Sequence, residues 1–538
     1  MMICGRLHKR RLFLRWSVLL SLAFPVSGRS VAGDTHPGSF SIENPRYQSM
    51  VVARVGSHQI TAQEFLLNYA FGPAFPKREK QSKTEYLKYM IYEKLLALDG
   101  YRHQIDKTED ARLSLAEMQG DLATEELYKH DILSKIHVTE KAIQLGISQD
   151  HVSCSVRWIY TRTPEEMEGA LVGLAHGISF DSLYRLQFRD TSVKADDRSM
   201  VMSRFRIGMH NPQLARVLDT LHIHHLSAPI QTPDGYYLVY LADAERDVMV
   251  NQSEEIKQHE DVKRALIQHL ADSLSDRYVQ KLVTDHHPSI ERRTIDILHA
   301  HFAKVMLSAS DFDSWRLVPR LLDRWGPVEY ERVDPSLVLV TSRGIKFTSG
   351  DFLNWYRARE VNLKFTLTTP EAMFASLEGY VWQMVRDRLL TVRAYQRGYQ
   401  HLPRVKEQLA WWKDKIVYNI IKAGLEDSIH PTNTALQEYY REHERDFRDT
   451  SGVVIPFNNA KEDVLRAWFS FELTKATVHR VLKLKEEYHI SINDQILDQL
   501  TVDSENDPRA IDVYVAKPGG IFPRPAFPTI DYSWQTWN

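Results

Sequence analysis

The feature that most limits how this chain can fold is an internal repeat. The stretch ITAQEFLLNY (60–69) matches FTSGDFLNWY (347–356), placing Phe65 against Phe352 and Tyr69 against Tyr356. Each follows a short apolar run, Val51 to Val55 and then Leu337 to Val340. Further on, MIYEKLLALDGYRHQI (90–105) matches MVRDRLLTVRAYQRGY (384–399) without a gap, aligning Met90, Leu95, Leu96 and Tyr101 with Met384, Leu389, Leu390 and Tyr395. Those positions recur at the spacing of one buried helix face. A second long helical stretch follows each copy, at 114–133 and 404–429. A third pair, 256–283 and 457–484, reads as a closing helix leading to a short β-like tail, IERRTIDIL (290–298) or ISINDQIL (490–497). The chain therefore reads as two related helical units, and their order and spacing make chance similarity a poor account.

The units differ between helix block and closing helix. The first carries an insert at 151–247, whereas the second has only YREHERDFRDTSGVVIP, read as a bare loop. Within the insert, VSCSVRWIYT (152–161) has the β-branched and aromatic content of a strand. A helix follows over 163–177, with Thr163 as cap, Pro164 in the first turn and Gly177 at the end. Further helices are expected at 179–188 and 211–221, and SAPIQTPDGYYLVYL (227–241) closes the insert as a turn running into a strand.

Composition narrows the class. With 538 residues, 43% of them hydrophobic and 26% charged, the chain can bury several cores. Its N-terminus has a basic start, an apolar run from Trp16 to Val26 too short to span a bilayer, and small residues after it. That is the pattern of a secretory signal peptide over 1–32, cleaved between Gly28 and Gly33. Removing its six cations moves the formal charge from −2 to −8, which argues against nucleic-acid binding. Cys154 would then be the one remaining cysteine, so no intramolecular disulfide is expected. No metal and no cofactor are expected. The run His222, His224, His225 and the pair His286, His287 have no partner motif, and no phosphate loop or nucleophile elbow stands out.

At SVRWIYT, SFDSLYRLQFRDTS, GMHNPQLARVLDTL and SAPIQTPDGYYLVYL the insert resembles a parvulin-type peptidyl-prolyl isomerase domain. The flanking blocks, with VVARVGSHQITAQEF and EKLLALDGYRHQI, resemble the core of the SurA and PrsA group of secreted folding factors. The resemblance implies an α+β fold: duplicated, mostly α-helical SurA-like modules with one inserted small parvulin-like α/β domain. The expected divisions are 51–150 (first module), 151–247 (parvulin-like), 248–300 (closing helix and short strand), 301–336 (connector), 337–450 (second module), 451–500 (closing helix) and 501–538 (a Pro/aromatic tail). It implies a periplasmic chaperone that binds unfolded clients, outer-membrane proteins among them, without stable membrane insertion. The competing readings are an active isomerase with an atypical pocket and an envelope assembly protein that reuses the fold.

The resemblance also exposes a departure. Parvulins place two histidines on neighbouring strands, and here those positions are Trp158 and Tyr237. Imidazole both donates and accepts hydrogen bonds, while indole only donates, so the pair cannot act as a two-imidazole relay. The remaining parvulin-equivalent positions are Asp190 and Thr191 for the polar cluster, and Met209, Leu214 and Asp234 for the substrate pocket. Trp158 and Tyr237 are expected to pack against each other as strand residues. On the helices, Trp382, Trp411, Trp412 and Tyr418 are candidates to line an apolar groove for client segments. The tail KPGGIFPRPAFPTIDYSWQTWN (517–538) cannot continue a helix and is expected to strap onto the body, since its exposed aromatics would be costly in water.

Overall fold

The computed structural model describes residues 45–78, 81–189, 198–232, 235–246, 252–502 and 519–537, all within one compact unit, Ser41–Asn538. The expected signal peptide lies outside the described residues. A short helix α1 (Pro45–Ser49) precedes the hairpin β1 (Val51–Val55) and β2 (His58–Thr61). Thr61 then caps α2 (Ala62–Phe71), accepting from the Glu64 N–H at 3.1 Å. Two long helices follow, α3 (Ser82–Arg102) and α4 (Glu109–Asp131). The same order recurs later. The hairpin β8 (Val338–Ser342) and β9 (Ile345–Thr348) leads to α14 (Ser349–Arg359), capped by Thr348 in a capping box with Asp351, and then to α15 (Pro370–Gln396) and α16 (Pro403–Ser428).

The hydrogen bonds around the two hairpins correspond one by one. Ala62 N–H donates to Met50 at 2.8 Å, and Ser349 N–H to Leu337 at 2.8 Å. Both hairpins shift register at the same place, between Val51 and Ala53 and between Val338 and Val340. Each is completed by a third strand. β10 (Ile490–Ile492) pairs with β1, and β7 (Ser289–Ile290) pairs with β8, both antiparallel. Asn493 N–H donates to Val52 at 2.8 Å, as Glu291 N–H does to Leu339 at 2.8 Å.

The third strands are exchanged. The strand following the insert completes the later hairpin, and the strand near the end of the chain completes the first. The closing helices cross with them. α10 (Gln252–His286) begins against α5 (Glu140–Asp150), where Val262 packs with Ile143 and Phe205, and it ends with Leu282 and Val283 against the core of the second hairpin. α18 (Phe457–Glu487) ends with Val481 and Leu484 in the core of the first hairpin, and its Arg480 pairs with the fully buried Asp99 of α3. The long helix pairs also meet. Met118 and Leu122 of α4 share a cluster with Trp412 and Ile416 of α16, and Gly100 gives Val417 room that no Cβ would leave.

The insert is a four-stranded antiparallel sheet of order β4 (Ser199–Ser203), β3 (Val152–Thr161), β6 (Gly235–Arg246), β5 (Ile230–Thr232). Helices α6 (Pro164–Ala175) and α7 (Phe180–Leu186) cover one face; α8 (Arg204–His210) and α9 (Pro212–Leu218) cover the other.

Three sequence readings are corrected. The β-like tail at 290–298 is a strand only at Ser289–Ile290; α11 (Arg292–Met306) follows because Ile295, Leu298 and Phe302 recur at helical spacing and are buried. The stretch 301–336 is more than a connector, since it contains α12 (Ala309–Ser314) and α13 (Leu317–Trp325), which add Phe312 and Leu321 to the same core. The bare loop of the second unit has its own small core: Tyr440 of α17 (Asn433–Glu442) and Phe447 pack with Val464 and Trp468 of α18. The last strand, β10, is followed by α19 (Asp494–Gln499). The molecule is a mostly helical α+β protein, with three small sheets among the described residues. Among the described residues, no helix is long and apolar enough to cross a membrane, and no group of three His, Cys, Asp or Glu is placed to hold a metal ion.

Candidate functional site

Residues 519–537 lie in a groove built by α2, α3, α4 and α16. At one end, α4 presents Asp121 and Glu125, one turn apart and both buried. Asp121 accepts from the Ile521 N–H at 2.6 Å and the Phe522 N–H at 2.8 Å through one oxygen, and from Arg524 Nε at 2.6 Å through the other. Arg524 also pairs with Glu125, and its guanidinium lies 5.1 Å from the Trp412 ring centroid. The charge is thus desolvated but fully matched by two carboxylates and an aromatic face, the geometry that buried arginine requires. Gly519 and Gly520 have positive φ, and a Cβ on Gly519 would meet Tyr128 at 2.7 Å, so the chain can bend against α4 only with glycine there.

At the other end the groove again reads the main chain. Asn68 of α2 donates to the Pro528 carbonyl at 2.8 Å and accepts from the Ile530 N–H at 3.1 Å. Glu93 of α3 accepts from the Asp531 N–H at 2.6 Å and from the Trp534 indole at 2.9 Å. Trp534 is buried among Tyr89, Tyr92 and Tyr418, and Phe527 packs on Phe71 at 4.9 Å between ring centroids. Asp531 receives Lys422 Nζ at 2.7 Å and the Tyr418 hydroxyl at 3.2 Å.

The electrostatics under this end are tight. Burial raises the Glu93 carboxyl above its ordinary range despite the Lys415 ammonium at 2.7 Å. Burial would raise Asp531 as well, but Lys422 and Lys415 hold it well below the usual carboxylate range. Beside them, burial raises Glu64, while Lys94, which burial would lower, is held up by Glu64 at 3.1 Å and Asp414 at 2.5 Å. A cavity of about 40 Å³ separates these groups from Pro528 and is lined also by Trp411.

Of the helical aromatics singled out in the sequence, the structure brings Trp411, Trp412 and Tyr418 to this groove; Trp382 stands 38% exposed on α15. Asn68, Glu93, Asp121, Glu125 and Arg524 were not anticipated. Nothing in the surrounding sequence of α4, EMQGDLATEELYK (117–129), sets Asp121 and Glu125 apart from its other polar residues.

On the inserted sheet, Trp158, Tyr237 and Leu214 belong to one cluster under α8 and α9. Trp158 lies opposite Val239, however, and Tyr237 opposite Tyr160, with ring centroids 5.1 Å apart. Tyr237 therefore packs against Tyr160 with its ring tilted by 54°, because same-face neighbours across a ladder are set by register. Met209 does not join them: it packs with Phe205 and Val262 toward α5 and α10. The Trp158 indole nitrogen is buried with no hydrogen-bond partner among the described residues. Asp190, Thr191 and Asp234 lie outside the described residues. On the opposite face Arg157 sits 5.1 Å from the Tyr240 ring centroid and pairs with Asp181 at 2.8 Å.

No family model and no curated protein matches the chain. Solved structures that are similar include a peptidylprolyl isomerase (PrsA) from Bacillus anthracis, 15% identical over 36% of this chain and 96% of that one, with a TM-score of 0.22. A second is a PrsA from Bacillus cereus, at 18% identity, 41% and 89% coverage and a TM-score of 0.22. A third is the foldase protein PrsA from Streptococcus pneumoniae, at 12% identity, 41% and 91% coverage and a TM-score of 0.21. These values place the chain in no family. The expected periplasmic localisation is corrected: the matching foldases come from Gram-positive bacteria, which lack a periplasm.

Proposed function

We propose that this chain is a folding factor that binds extended stretches of non-native polypeptide by burial of apolar surface, with neither nucleotide nor metal. The observation that carries the reading is the groove, where Asn68, Glu93 and Asp121 engage main-chain groups of an extended segment while aromatic rings take its side chains. Main-chain recognition tolerates many sequences, as a protein that meets varied clients requires.

On this reading the helical body is a duplicated unit, supported by the matched hairpin registers, and the insert is a parvulin-like domain that has lost catalysis. Isomerisation needs polar groups placed against a twisting amide. Trp158 supplies an indole N–H unpartnered among the described residues, and Tyr237 a phenol packed at a tilt against Tyr160. The test is a pair of assays on residues 33–538. Aggregation of a chemically unfolded, aromatic-rich protein should be delayed at stoichiometric ratios, and deletion of 151–247 should leave most of that delay. Acceleration of proline isomerisation should be marginal. Turnover like that of an ordinary parvulin, abolished by Tyr237→Phe, would instead make the chain an enzyme.

A further inference from the structure

The occupant of the groove comes from the chain's own terminus, and the way it is held separates two kinds of contact. Six of its main-chain groups, the N–H and the carbonyl of Ile521 and one group each on Phe522, Pro528, Ile530 and Asp531, are bonded by surrounding side chains, Arg359 of α14 among them. Such bonds would form with other extended segments. Arg524 and Trp534, by contrast, enter pockets shaped for them: the guanidinium between Asp121, Glu125 and Trp412, the indole among three tyrosines and on Glu93. Pro523, Pro525 and Pro528 pre-set an extended backbone, so docking orders the segment at low entropic cost.

The second unit shows what the groove would look like if no segment were meant to enter it. Where the first has Asn68, the second has Trp355, 1% exposed, whose indole donates at 2.9 Å to Asp387, the counterpart of Glu93. In both units the carboxylate at this position accepts an indole N–H, from Trp355 of the preceding helix in the second and from Trp534 of the tail in the first.

We propose that this groove, walled by α2, α3 and α4 of the first unit and by α16 of the second, is a binding site for extended, proline- and aromatic-rich peptides anchored by an arginine, and that residues 519–537 occupy it in cis in competition with such peptides. The proposal rests on the polypeptide-binding reading for the nature of the natural competitor, but not for the site itself. Because the tail is tethered, its effective concentration at the groove is of millimolar order, so a free peptide binds the intact chain with an affinity reduced by the fraction of grooves left open.

The test uses a fluorescent peptide of residues 519–537 as probe against three forms of the protein: the intact chain, the full chain with Arg524→Ala, and the chain ending at Val502. Binding to Arg524→Ala should be about tenfold tighter than to the intact chain, and tighter still to the truncated chain. A probe that itself carries Arg524→Ala should lose at least about tenfold on the truncated chain, because Asp121 and Glu125 are then left without their cation. Should the truncated chain fail to fold, the full-length Arg524→Ala form decides. Equal, weak binding to the intact chain and to a folded Arg524→Ala chain would mean that the tail is a fixed strap and overturns the proposal, as would unfolding of both altered forms. A scrambled peptide that binds as well as the probe would overturn the arginine-anchored class. Because the readout is peptide binding, a bound probe with no delay of client aggregation would sink the chaperone reading alone. Delay without probe binding would sink this one alone.

Discussion

Two carboxylates, the half-buried Glu93 and the buried Asp387, occupy matching positions on α3 and α15, and each accepts an indole N–H at 2.9 Å. In the second unit the indole belongs to Trp355, on the helix that precedes it. In the first it belongs to Trp534, more than 400 residues away along the chain. Burial raises both carboxyls, so both sites need the donor. The comparison teaches that one scaffold can be closed by a residue of its own or left open for a segment that arrives from outside. Beside these carboxylates the aligned position is Trp355 in one unit and Asn68 in the other.

The largest expected effect tests that difference directly. Trp355→Ala should cost about 3–5 kcal/mol of global stability, from the cavity and the lost indole bond, read from the denaturant midpoint, and no added peptide should restore it. Trp534→Ala removes the same chemistry from a terminal segment that can leave the groove locally, so the global transition should fall by about 2 kcal/mol or less. Equal losses would break the distinction between a built-in and a docked indole.

Next in size is Asn68→Trp, which gives the first unit the residue of the second. It should cost about 1–3 kcal/mol through overpacking and release the tail, seen as faster proteolysis within 519–537. A tail that stays protected would show that the groove has room for both.

A third prediction uses pH. His299 on α11 is buried, and burial pushes its pKa down to about 4 from an ordinary value of 6.5. Between those values the unfolded chain binds the proton and the folded chain does not. The contribution of neutral His299 is therefore complete above pH 6.5 and is lost as pH falls toward 4, by up to about 3 kcal/mol. Denaturant midpoints measured across this range should flatten in His299→Gln relative to the parent. His299 lies against Phe374 of the second unit, and no other histidine is buried among the described residues, so this acid sensitivity should be confined to that unit. The smallest effect belongs to Trp382→Ala, which should change stability by less than about 0.5 kcal/mol and leave binding of the 519–537 peptide unaltered. A loss of peptide binding would extend the groove onto α15.

Much of this was legible locally. The strand read at 152–161 is Val152–Thr161, and the helix read at 163–177 is Pro164–Ala175, because Thr163 and Pro164 mark a start that short-range chemistry enforces. The helix at 292–306 was misread as a strand because Ile295, Asp296, Ile297 and Leu298 also suit an alternating reading over so short a window. The candidate site was half legible. Trp411, Trp412 and Tyr418 were visible as aromatics on one helix. Their polar partners were not, since a buried Asp121 or a half-buried Asn68 looks in sequence like any surface residue.

What the sequence determined by itself is the pair of related hairpin-and-helix patterns, the strands of the inserted sheet, and the presence of Trp158 and Tyr237, rather than histidines, on two of those strands. Each of these is written in residues close together along the chain. Only the tertiary structure decided which closing strand completes which hairpin, since Ile290 on Val340 and Ile492 on Ala53 make equivalent ladders and the exchanged and unexchanged pairings would satisfy the same local pattern. It alone decided also that Ile521, Arg524 and Ile530 reach Asp121 and Asn68 across 400 to 462 residues, a contact whose loop-closure cost and geometry no local preference encodes.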